Sequence, residues 1–162
     1  MVILGVDPGY AITGYSVLSY QGNHFNLITA GAIETKAGVA MPIRLAKIYD
    51  DMTMLINTYK PDAIAIEELF YHSNAKTVIG VAQGRGNILT AAAKTNTDIY
   101  EYTPLQVKQA VVGYGRADKK QVQMMVKALL NLETIPKLDD TTDAMAIAIC
   151  HAHSHRFAKK IE

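Results

Sequence analysis

The spacing of apolar and polar positions changes several times along the chain, and each change marks an element. Residues 1–7 (MVILGVD) form an apolar run of the kind that a strand buried on both faces requires, and the run stops at Asp7, with Pro8 and Gly9 directly behind it. ITGYSVLSY (12–20) and HFNLITAGAIET (24–35) are rich in β-branched and aromatic residues and flank the turn-like QGN, so the chain is predicted to open as a three-stranded antiparallel meander. From Met41 to Tyr59 the apolar residues Ile43, Leu45, Ile48, Met52, Leu55 and Ile56 keep helical spacing, and Pro61 ends the helix. AIAIEELF (63–70) reads as the next strand, residues 74–94 as a long helix with Asn74 as cap, and DIYEY (98–102) as a short strand. Thr103 and Pro104 suit the cap and first position of a further helix. The glycine-rich GYGRADKK, a helix over 119–131 and a last helix starting near LDDTTD follow. The order is βββαβαβ and then helices. Strands alternating with helices pair in parallel and the meander does not, so the class is α/β with a mixed five-stranded sheet flanked by helices.

The length of 162 residues fits a single domain, 1–162, and 49% apolar residues suffice for a full core. No run approaches the roughly 18 apolar residues of a membrane span, and no basic stretch followed by a signal-like apolar segment opens the chain. The single cysteine, Cys150, excludes an internal disulfide and a cysteine-rich zinc site, so a reduced, cytoplasmic setting is expected. Net charge is only +1, but it is unevenly spread: residues 103–137 carry six basic side chains (Lys108, Arg116, Lys119, Lys120, Lys127, Lys137) against two acidic ones. Such a cluster suits a phosphate-binding face, or simply a solvated helix surface.

Asp7 poses the chemical question, because a carboxylate at the end of a buried strand costs several kcal/mol unless something compensates it. Glu67 ends a later strand, and sites in α/β sheets gather at the carboxyl ends of strands. Asp139, Asp140 and Asp143 sit in the first turn of the last helix, where either Asp139 or Asp140 shares a face with Asp143. Acids at a helix start ordinarily just complement the helix dipole, and Glu67-Glu68 could mark a strand leaving the core. Taken together, three or four carboxylates at one point repel one another unless hard cations neutralise them. Oxygen ligands without cysteine suit Mg²⁺ or Mn²⁺, and two such ions are the usual device for in-line phosphodiester cleavage.

GVDPGYAITGYSV, AIEELFYHSNAKTV, VAQGRG, TPLQVKQAVVGYGRADKKQVQMMV and DDTTDAMAIAICHAH resemble, in order and over nearly the whole chain, the segments of RuvC, the bacterial Holliday junction endonuclease family. The resemblance implies a ribonuclease H-like nuclease domain and a homodimer that cuts four-way DNA junctions with Mg²⁺. It also implies the RuvA/RuvB branch-migration complex as a partner. The family's catalytic and metal-holding acids fall on Asp7, Glu67, Asp140 and Asp143: IEELF matches I-E-x-x-F, and the third acid precedes the fourth by three positions. Phe70, beside Tyr71, matches an aromatic placed against junction bases. Lys108 and Lys119 match basic residues near the cut phosphate, with Lys120, Arg116 and Arg85 as supporting DNA contacts. The helix over 74–94 is the expected dimer interface, with Gly80, Gly84 and Gly86 permitting close approach beside Val78, Ile79 and Val81. His151, His153 and His155 alternate, so on a helix they point apart and are expected as surface residues rather than a zinc set. Three competing readings are a ribonuclease H-like nuclease acting on structured RNA, an actin-like kinase and a non-catalytic junction-binding module. Phe70, the VVGYGRADKK segment and the final D-x-x-D favour the junction enzyme over the first, the second needs a second domain and a far longer chain, and the third gains only repulsion from acids beside phosphate.

Overall fold

The structure, a computed structural model, describes residues 1–68, 75–155 and 159–161. The opening meander is β1 (Val2–Asp7), β2 (Ile12–Gln21) and β3 (His24–Glu34), followed by α1 (Met41–Tyr59), β4 (Ala63–Glu67), α2 (Ala75–Lys94) and β5 (Ile99–Tyr102). Then come α3 (Pro104–Val112), α4 (Lys119–Leu129), α5 (Asp139–Ser154) and a two-residue β6 (Lys159–Lys160). The strand order is β3-β2-β1-β4-β5-β6. The meander pairs antiparallel, while β1 pairs parallel with β4 and β4 with β5. The five expected strands are therefore present in a mixed sheet. The short β6, which pairs antiparallel with β5 at the edge, has no sequence signal of its own. Phe70 and Tyr71 lie outside the described residues.

Each face of the sheet carries its own core. Leu4, Val6, Val17, Ile64 and Ile66 point toward α1 and α2, and Ile3, Leu18 and Ala65 point toward α3, α4 and α5. Two helices begin with reciprocal caps. Thr103 accepts from the Gln106 N–H while Gln106 accepts from the Thr103 N–H, and Asp118 and Gln121 do the same for α4. The buried stripe of α1 is Arg44, Ile48, Met52, Leu55 and Ile56. Ile43, assigned by spacing to the core, is instead 63% exposed, because the stripe passes through Arg44.

Helix α5 lies against β1 and β2, and small residues bring it close. A Cβ at Gly5 would run into the Ala144 carbonyl and lie 2.8 Å from the Ala148 Cβ. A Cβ at Gly14 would collide with the Asp140 carbonyl, and the Ser16 hydroxyl donates to the Ala144 carbonyl at 3.0 Å. From Thr141 to Ala152 every residue of α5 is buried except Asp143, which is only partly covered, at the turn where the helix meets the strand ends.

Two expectations about α2 and the tail are corrected here. Gly80 and Gly84 serve this chain rather than a second copy: a Cβ at Gly80 would sit 3.2 Å from the Tyr10 ring, and one at Gly84 would sit 3.3 Å from the Gly9 carbonyl. Only Gly86 of the three opens onto space. His151 is not a surface residue. It is 1% exposed, its Nδ1 lies 2.7 Å from the Tyr102 hydroxyl, and burial depresses its imidazole to a pKa of about 4. The apolar run that sinks α5 into the core carries His151 with it.

If close approach of α5 to the sheet is what the glycines provide, Gly5→Ala should lower stability by about 1–3 kcal/mol through overpacking. The thermal melting midpoint should fall accordingly, and an unchanged midpoint would contradict the packing described.

Candidate active site

Asp7 and Glu67 end neighbouring parallel strands in which Val6 pairs with Ile66, so the two carboxyls sit side by side one residue further on. Strand alternation turns both toward the α5 face, the side on which Ile3 and Ala65 are buried. The first turn of α5 adds Asp140 and Asp143. The four are near enough to influence one another's charge. Burial and then the charges of Glu67, Asp143 and Asp140 push Asp7 up from its ordinary 3.8 to about 8, with Lys119 pulling the other way. Glu67 is raised by burial and by Asp143, against Lys108 and Lys119. Asp143 is also raised by burial, and Asp139 and Asp140 add to this against Lys119.

Beside the acids is a cavity of about 250 Å³ lined by Glu67, Asp143, Lys108, Lys119, Pro104, Val107 and Val122. Lys108 reaches it from α3 and Lys119 from the first position of α4. The Lys119 ammonium lies 3.1 Å from Asp139 and 3.3 Å from Asp143. Desolvation depresses it, but the bonds and charges of Asp139 and Asp143 more than offset this and raise it overall. Asp139 also accepts from Gln123 Nε2 at 2.9 Å, so this acid ties α4 to α5. Nothing in the sequence singled out Gln123 beforehand. Its signal was its position one helical turn after Lys119.

The remaining sequence-derived residues divide. Arg116 and Lys120 are exposed on the loop and first turn that lead from α3 into α4. Arg85, expected as a supporting DNA contact, has a side chain only 15% exposed, and its Nη2 pairs with Glu101. Glu68 follows the strand end, where its N–H donates to the Tyr102 carbonyl at 2.8 Å. It therefore falls on the other side of the pleat from Glu67.

Among the described residues no trio of His, Cys, Asp and Glu side chains is already closed around a single point. Asp143 is paired with Lys119 at 3.3 Å. The donor set itself is all hard oxygen and negatively charged, which fits hard divalent cations and no thiophilic metal.

The profile described as Crossover junction endodeoxyribonuclease RuvC matches residues 3–151. The chain belongs to the RuvC family. A relative named Crossover junction endodeoxyribonuclease RuvC, from Ruminiclostridium cellulolyticum, is 58% identical over 156 residues, 96% of this chain and 94% of that protein. A second of the same name, from Alkaliphilus metalliredigens, is 58% identical over 157 residues, 97% of this chain and 96% of its own. Thermus thermophilus RuvC in complex with Holliday junction substrate superposes with a TM-score of 0.94 at 31% identity, covering 99% of each chain. The fold is thus the ribonuclease H-like one of this family. No described helix is long and apolar enough to cross a membrane.

Asp7 binds more protons folded than unfolded between its ordinary value and about 8, so it costs stability progressively as pH rises through that window. Metal-free Asp7→Asn should therefore melt roughly 3–6 °C above the parent at pH 8 and much nearer to it at pH 4. Equal midpoints at pH 8 would refute the strained cluster. Asp139→Asn, which cuts one side of the α4–α5 tie at an exposed pair, should change stability by only about 0–1 kcal/mol, read from the same melts.

Proposed function

We propose that Asp7, Glu67, Asp140 and Asp143 form the catalytic and metal-holding centre of an endonuclease that cuts four-way DNA junctions. Four carboxylates from three separate elements, close enough for Glu67, Asp143 and Asp140 all to raise Asp7, with Glu67 and Asp143 lining a cavity edged by Lys108 and Lys119, carry this reading. Membership of a family of crossover junction endodeoxyribonucleases makes the chain a hydrolase of phosphodiester bonds and a divalent-metal enzyme. We assign Mg²⁺, two ions per site, with Mn²⁺ as a substitute. Cations held there would neutralise the carboxylates and stabilise the charge that develops on a phosphodiester under attack.

The chain's own groups supply the rest. The strand ends and the α5 turn fix the carboxyls on rigid elements, so little reorganisation is needed when charge develops. Lys108 and Lys119 offer ammonium donors to the phosphate lying across the cavity. Arg116 and Lys120 extend the positive surface outward along the duplex, where phosphate contacts supply most of the affinity. Lys119 stands between the acids and the surface, and it can pass from Asp143 to phosphate while Asp139 still holds it. Phe70 is proposed to stack on a junction base.

A four-way junction has two equivalent strands to cut, which a two-fold homodimer matches. The outward face of α2 suits the partner copy: Ile79 is 67% exposed, and Gly86, seven residues on, presents bare backbone. Residues 1–162 act as one nuclease domain in the cytoplasm, with the RuvA/RuvB complex delivering the junction.

The test is cleavage of a synthetic four-way junction, linear duplex and structured RNA of matched length, with Mg²⁺ or with chelator. Cutting should be confined to the junction and to the metal. Asp7→Asn should reduce it by orders of magnitude while binding in the absence of metal persists or tightens. Preference for the RNA would transfer the site to the structured-RNA reading, and binding without cutting by the parent chain would make it a junction-binding module. Sedimentation showing only monomer at micromolar concentration, free and on junction DNA, would overturn the dimer.

A further inference from the structure

Arg44 is a charged side chain in a core position, and nothing in the cleavage site accounts for it. It occupies the buried stripe of α1, four residues before Ile48, and is 9% exposed. Among the described residues no carboxylate forms an ion pair with it. Its partners are instead two stretches of backbone and a ring. Nε donates to the Thr35 hydroxyl at 2.9 Å, and Nη2 donates to the Thr35 carbonyl at 3.3 Å and the Tyr10 carbonyl at 3.4 Å. The guanidinium carbon stands 3.6 Å from the centre of the Tyr10 ring. Thr35 completes the arrangement: its hydroxyl donates to the Tyr10 carbonyl at 2.7 Å and its N–H to the Ala11 carbonyl at 2.9 Å.

Directly at Tyr10, and through Thr35 at Tyr10 and Ala11, these contacts bear on the short connection, residues 8–11, that runs from Asp7 into β2. Other groups hold the same segment: the Thr13 hydroxyl donates to the Gly9 carbonyl at 2.7 Å, and Gly80 and Gly84 of α2 leave room for Tyr10 and Gly9. Gly9, Tyr10, Ala11 and Ile12 then form one wall of a cavity of about 630 Å³ that Asp140 also lines. The segment is therefore joined to the cluster through the peptide bond to Asp7 and shares a cavity with Asp140. A methionine would fill the space at lower desolvation cost, since a buried charge is a poor way to gain stability alone. What only a planar fork provides is simultaneous hold on Thr35, the Tyr10 carbonyl and the Tyr10 ring face.

We propose that Arg44 is a positioning residue for strand cleavage: by clamping residues 8–11 between α1 and the end of β3 it fixes the direction of the Asp7 carboxylate and the wall facing Asp140. The inference rests on the endonuclease reading above. It concerns a group that touches neither DNA nor cation, so it acts on the cutting step and on the segment itself, not on junction affinity.

The experiment compares the full chain with Arg44→Lys, Arg44→Met and Thr35→Val. Each is assayed well below its melting midpoint, with rates normalised to folded protein. Single-turnover cleavage of a synthetic four-way junction should fall roughly 10- to 100-fold for Arg44→Met. Thr35→Val should show a smaller loss and Arg44→Lys one in between, because the ammonium keeps the charge but not the fork. Junction affinity without metal should stay within about twofold and its salt dependence unchanged, since no phosphate contact is removed. Amide hydrogen exchange on the metal-free protein should speed up in residues 9–12 while β4 and the middle of α5 keep their protection. Should Arg44→Met not fold, Arg44→Lys and Thr35→Val decide the matter by the same readings. Normal cutting per folded molecule, or unchanged exchange at 9–12, overturns the proposal, as does a loss of junction affinity in step with rate. A parent chain that fails to cut any junction sinks the endonuclease reading instead, and the exchange data still report whether Arg44 holds the segment.

Discussion

Mutual repulsion of four carboxylates is the constraint around which this molecule is organised. Asp7 is largely withdrawn from the water that would dissipate its charge, and Glu67, Asp140 and Asp143 all press on it. Left to themselves such groups would separate, so the scaffold must resist. It does so by close packing: α5 is buried from Ala144 through Ala152 and seated on a sheet that gives up side chains at Gly5 and Gly14 to receive it. Hydrophobic burial along the helix outweighs the local electrostatic cost at its first turn.

The same constraint explains the placement of the basic residues. Lys119 begins α4, which packs beside α5, and its ammonium lies against Asp143 and Asp139. Lys108 reaches the cavity from α3, next to Glu67. These cations relieve part of the negative field, and under the proposed function they would also meet the phosphate of bound DNA. Arg85 and Arg44 show that a positive charge does not by itself mark a nucleic-acid contact. One is spent on Glu101 and the other on backbone carbonyls and the Tyr10 ring.

Much of this was legible in the sequence. Apolar spacing marked α1, and apolar runs, β-branched content, turns and caps marked the other strands and helices, because such signals act within a few residues whatever the neighbours are. Asp7 stood out because a carboxylate closing an apolar run has few structural reasons to be there. The segments shared with the RuvC family then selected Asp140 over Asp139, a choice that helical spacing left open, since both can share a face with Asp143.

Tertiary structure alone decided what depends on which surfaces meet. That β1 and β4 are neighbours, and so bring Asp7 beside Glu67, follows from the sheet order and not from either strand's own residues. Gly80 and Gly84 read as room for a second copy, yet Tyr10 and Gly9 take that room, because a glycine declares only that space is needed and not who fills it. His151 and Arg44 are polar by type and buried by position. The partners that make burial tolerable, Tyr102 for one and Thr35 with Tyr10 for the other, are distant in sequence or carry no signal there. Local sequence determines where a chain turns, coils or extends, since those preferences act over a few residues. The pairing of distant groups is settled only when the core closes and fixes which of them face each other.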